Sequence, residues 1–99
     1  MSTPGRFYFL FEGGVKTLKE EHPVRSLRID RRMTQFQLSK ILKINQATLS
    51  AFETGAIHVP NHIINEVARI FKVSNNELRE QSDNFFERKK EELMKKYRF

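Results

Sequence analysis

Cysteine is absent from the 99 residues, which excludes a disulfide framework and zinc-finger chemistry. Long apolar runs are missing too. Nothing approaches the roughly 20 residues that cross a bilayer, so no membrane association is expected. The apolar stretch at residues 7–11 is too short for a signal peptide and gives way to Glu12 and two glycines. Catalytic apparatus is equally thin. His22, His58 and His62 lack convergent ligand spacing, and no Ser/His/Asp set, paired-carboxylate motif or phosphate-cradling glycine loop stands out. Gly13 and Gly14 lack the lysine and helix context of a nucleotide loop. No enzyme, no metal and no cofactor are expected. Internal repeats and low-complexity tracts are also missing.

What remains is 38% hydrophobic and 30% charged, the balance of a folded, cytoplasmic protein of one small domain with appendages. The net charge of +6 is unevenly spread. Residues 24–43 hold Arg25, Arg28, Arg31, Arg32, Lys40 and Lys43 against Asp30 alone, while residues 1–23 and 57–80 each balance to zero. A charge run is usually a solvated face. Concentrated beside a surface that can enter a groove, it points to double-stranded DNA.

That surface is predicted from residues 34–55, TQFQLSKILKINQATLSAFETG. Thr34 with Gln37 forms a capping box, so a helix should start there. Leu38, Ile41 and Leu42 then recur at helical spacing. Lys43 and Ile44 make the turn, and Asn45 can cap a new helix at Gln46. In that helix Leu49 and Phe52 anchor one side, while Gln46, Ala47, Ser50 and Ala51 point another way. Such a small, polar face suits a major groove. Ser39 is small where two helices crossing near a right angle leave little room. Further on, Pro60 and Asn61 open a helix striped by Ile63, Ile64, Val67, Ile70 and Phe71, and Ser74 with Glu77 opens a short one through about Glu80.

These residues resemble the phage-repressor/Cro type of helix-turn-helix, a five-helix regulator domain. The resemblance runs from VRSLRIDRRM through TQ, QATLSAFETG and VPNHIINEVARIF to VSNNEL, in order and spacing. It implies a mainly α fold, with the DNA-binding domain at residues 23–81. It further implies that Arg28 pairs with Glu53 to fix the recognition helix, and that Thr54 faces the sugar-phosphate chain. Two positions depart from the pattern. Lys43 stands where the family most often has glycine, and the loop Ala56, Ile57, His58 lacks the cation that many relatives aim at phosphate.

Candidate base readers are therefore Gln46, Ala47, Ser50 and Ala51, with Gln46 able to bond adenine twice. Gln35, Thr54, Lys43 and Arg28 are candidate backbone contacts, Gln35 because it sits at a helix amino end. Residues 1–22 read as an N-terminal extension with a β-hairpin around Gly13 and Gly14, and 82–99 as an extra C-terminal helix capped by Asn84 with Glu87. Phe7, Tyr8, Phe9, Leu10 and Phe11 in the first, and Phe85, Phe86, Leu93, Met94 and Tyr97 in the second, are candidate dimer or partner surfaces. The expected function is a sequence-specific regulator, a repressor acting as a homodimer on an inverted repeat. Its rivals are an antitoxin with a toxin or other regulatory protein as partner, and an interaction module that has lost DNA binding.

Overall fold

The computed structural model describes residues 21–97. They form five helices: α1 Pro23–Asp30, α2 Gln35–Leu42, α3 Gln46–Thr54, α4 Asn61–Phe71 and α5 Asn75–Lys96. Among the described residues there is no strand. The β-hairpin expected near the amino end, with Phe7, Tyr8, Phe9, Leu10 and Phe11, lies outside them.

Side-chain caps set the helix starts. Thr34 and Gln37 make the expected box, with bonds of 3.0 and 2.8 Å between each backbone N–H and the other's side chain. Asn45 Oδ1 accepts the Ala47 N–H at 3.1 Å, and Ser74 Oγ accepts that of Glu77 at 3.2 Å. Pro23 takes the first position of α1, where a missing N–H costs nothing. The cap before it is His22, whose Nδ1 accepts the Val24 N–H at 3.1 Å.

The first four helices end alike. Arg32, Lys43, Gly55 and Lys72 are all left-handed, with φ of 58°, 60°, 82° and 56°. The N–H of the next residue then reaches back five positions: Met33 to Arg28, Ile44 to Ser39, Ala56 to Ala51 and Val73 to Ala68, at 2.9–3.1 Å. This is the Schellman arrangement, which gives partners to carbonyls that a helix end would orphan. A non-glycine residue there costs about 1 kcal/mol. Met33, Ile44 and Val73 offset it by packing against the core.

The core is built from Val24 and Leu27 of α1, Leu38 and Leu42 of α2, Leu49 and Phe52 of α3, the apolar stripe of α4, and Leu78 of α5. Ile41, which recurs with Leu38 and Leu42 at helical spacing, is 48% exposed. The buried face of α2 is centred between Leu38, Ser39 and Leu42, and Ile41 falls to one side. Ser39 Oγ satisfies itself by donating to Phe36 C=O at 2.8 Å.

The C-terminal helix departs most from expectation. No break separates a short helix ending near Glu80 from another starting at Asn84; α5 is continuous for 22 residues. Ser82, Asp83 and Asn84 favour caps in isolation, but tertiary bonds hold the first two. Ser82 Oγ meets His22 Nε2 at 3.2 Å, and Asp83 Oδ1 meets His58 Nε2 at 2.7 Å. Phe85, expected at an intermolecular contact, is buried in the chain's own fold, edge-on to His22 with ring centroids 5.1 Å apart.

His22 thus joins the start of α1 to the middle of α5. Only 2% exposed, it is held neutral by burial, its pKa lowered from 6.5 to about 4. Protonation would also turn Nδ1 from acceptor into donor against the Val24 N–H. The folded state therefore resists a proton that the unfolded chain takes up, and stability should fall as pH drops from about 6.5 towards 4. From pH 8 to 5 the expected loss is about 2 kcal/mol. Thermal melts of wild type and His22→Ser across this range check it, since serine can cap without titrating. Equal pH dependence in both proteins would show that His22 is not responsible.

Candidate nucleic-acid interface

The site begins with a buried charge. Arg28 on α1 and Glu53 on α3 are 7% and 4% exposed. Arg28 Nε donates to Glu53 Oε2 at 2.8 Å and Nη2 to Oε1 at 2.9 Å, the bidentate geometry that makes such pairs strong. Nη1 donates to Met33 C=O at 2.8 Å. Every guanidinium nitrogen thus has an internal partner, while Nη1 and Nη2 each keep a second N–H.

Glu53 Oε1 also accepts Gln35 Nε2 at 3.1 Å, and Gln35 Oε1 faces Gln46 Nε2 at 3.5 Å. One relay therefore runs from α1 through the end of α3 and the start of α2 to the first residue of α3. Gln35 and Gln46 are eleven residues apart, and nothing in their spacing announces the contact; it follows from the tight turn at Lys43. Sequence reasoning placed Gln35 at the backbone alone and missed its place in the relay.

Gln46 and Ala47 are exposed, and Ser50 and Ala51 half-buried, on the side of α3 away from Leu49 and Phe52. Lys43 and Thr54 are exposed at either end. Thr54 Oγ1 donates to Ala51 C=O at 3.2 Å, so it meets a phosphate as a donor only after rotating. The cations crowded into residues 24–43 do not all face this surface. Arg25 pairs with Glu21 at 3.4 Å, Arg28 is buried, and Arg31 lies over Phe71 at 5.3 Å while donating to its carbonyl at 3.3 Å. The local field is weaker than the bare count suggests.

Among the described residues no cluster of His, Cys, Asp or Glu fits a metal ion, and no helix is long and apolar enough to cross a membrane.

Two helices joined by a left-handed turn, the second offering a small polar face, define a helix-turn-helix DNA-binding unit. Residues 24–83 match the Cro/C1-type HTH DNA-binding domain, more than half of the chain, and the protein belongs to that family. Comparison with curated proteins and with solved structures gave no match. The family makes the protein a DNA-binding regulator.

Because Glu53 is buried with its partner, Arg28→Ala should destabilise the fold by about 3–5 kcal/mol, leaving a stranded carboxylate. Replacing both residues by apolar ones of similar volume should recover most of the loss. Thermal denaturation reads both; a single variant with wild-type melting would mean that the pair contributes nothing.

Proposed function

We propose that the protein is a repressor that binds an inverted-repeat operator as a homodimer and excludes polymerase from a promoter. The observation that supports this best is the α3 surface, where exposed Gln46 and Ala47 continue into Ser50 and Ala51 without a bulky side chain. Small residues let the helix sit deep in the groove. Gln46 can give one Nε2 hydrogen to Gln35 and the other to adenine N7, while its Oε1 accepts from N6. Ala47 and Ala51 suit thymine methyls, and Ser50 discriminates weakly. Few bases are read directly in this way, so sequence-dependent DNA shape supplies the remaining selectivity. Gln35, Thr54 and Lys43 are the backbone contacts in this reading.

The dimer would form through the end of α5, where Leu93, Met94 and Tyr97 are 53%, 64% and 64% exposed. Half-buried Phe86 continues their stripe towards the body of the protein. Covering such side chains with a second copy is favourable, and a two-fold axis there brings two recognition helices to successive grooves about 34 Å apart.

Gln46→Ala should weaken operator binding by about 1–3 kcal/mol while sparing binding to unrelated duplexes. Footprinting the DNA upstream of the gene measures this, and unchanged affinity and selectivity would remove Gln46 from the base-reading set. Leu93→Glu with Met94→Glu should yield a folded monomer by light scattering. A variant that stays dimeric would move the interface elsewhere.

A further inference from the structure

A helix seated in a major groove has phosphates near both of its ends, and the two ends of α3 are served differently. Near its start stand Gln35 and Lys43. After its end, residues 55–60 read Gly-Ala-Ile-His-Val-Pro, without Lys or Arg. The ionisable side chain there, His58, is held by Asp83 at 2.7 Å and lies edge-on to Phe86 at 5.2 Å. What α5 brings to this end is a lysine. A Cβ added to Gly55 would lie 2.8 Å from Lys89 Cγ, 3.2 Å from its Cβ and 3.0 Å from Phe85 Cε1. The stem of Lys89 therefore runs across the backbone that caps α3, and glycine is needed there for that approach as well as for its φ of 82°.

We propose that Lys89 is the phosphate-binding cation at the carboxyl end of the recognition helix, delivered by α5 in place of the loop. The proposal rests on α3 being the DNA-reading helix. Packing holds the stem against Gly55, so ordering it on DNA costs little entropy. The ammonium lies 5.5 Å from the Phe85 ring centroid and 3.4 Å from Glu92 Oε1. The side chain is 39% exposed and that of Glu92 67%, so this i,i+3 pair is weak and yields to a phosphate.

The test is the salt dependence of binding to the operator and to an unrelated duplex, followed by fluorescence anisotropy. Lys89→Gln should lower affinity for both duplexes several-fold. It should also reduce the slope of log Kobs against log salt by about 0.9, the loss of one phosphate contact. Glu92→Gln should tighten both complexes, and Lys95→Gln, further along the exposed helix, should leave the slope unchanged. A lysine that merely packs against α3 would change melting and not the slope. If Lys89→Gln does not fold, Lys89→Arg must keep the wild-type slope and Glu92→Gln must still tighten binding; failure of either overturns the proposal. An unchanged slope in folded Lys89→Gln, with wild type binding normally, overturns the role of Lys89 and leaves the reading of α3 intact. A wild type that binds neither duplex overturns both.

Discussion

Arg28 and Glu53 are full charges held where water hardly reaches them, and the geometry of the helix-turn-helix unit depends on their meeting. Removing two such ions from water costs several kcal/mol each, so the pair contributes little net stability while its disruption is expensive. That asymmetry makes it a constraint. α1 and α3 can approach only in the arrangement that brings both guanidinium bonds to 2.8–2.9 Å. Because Glu53 also accepts from Gln35, α2 is drawn into the same arrangement, and Gln46 lies one bond further along. The side chain best suited to read a base is thus positioned by a carboxylate two turns further along the same side of its own helix.

The turns serve the same end. Three helices finish on a left-handed Arg or Lys where glycine would be less strained. The positive charge at a helix carboxyl end is favourable, and the apolar residue that follows packs into the core. For Lys43, a glycine would relieve the backbone but remove a cation from the edge of the surface proposed to face DNA. The end of α3, at Gly55, has no such choice. Lys89 and Phe85 occupy the space that a side chain would need.

How far all this could be read in advance follows from the range of the interactions. Thr34 with Gln37, Asn45 and Ser74 act over two or three residues, and their caps were legible. The anchors Leu49 and Phe52 followed from helical period, and the Arg28–Glu53 pair from the family resemblance. His22 was not legible as a cap, because an imidazole takes that role only when α5, sixty residues later, buries it and bonds its other nitrogen. The same bond hid the continuity of α5. Ser82 and Asp83 read as the approach to a new helix start until their partners on His22 and His58 are seen. The apolar residues after Arg32, Lys43 and Lys72 were a usable signal for the Schellman ends, since Met33, Ile44 and Val73 each follow directly.

Continuity gives α5 a mechanical meaning. Its first half is fixed by Leu78, Ser82 and Phe85 in the body of the domain, and from Lys90 to Tyr97 every residue is exposed. A hinge at Asn84 would let the second half swing independently of α3. An unbroken helix of 22 residues instead runs about 33 Å as one rod, so whatever binds its far end is held rigidly relative to the recognition helix. Two grooves a helical turn apart demand such rigidity of a dimer, because binding energy is otherwise lost in ordering the subunits. On the dimer reading, the buried contacts of Ser82 and Phe85 therefore fix the distance between half-sites as much as they hold the fold together.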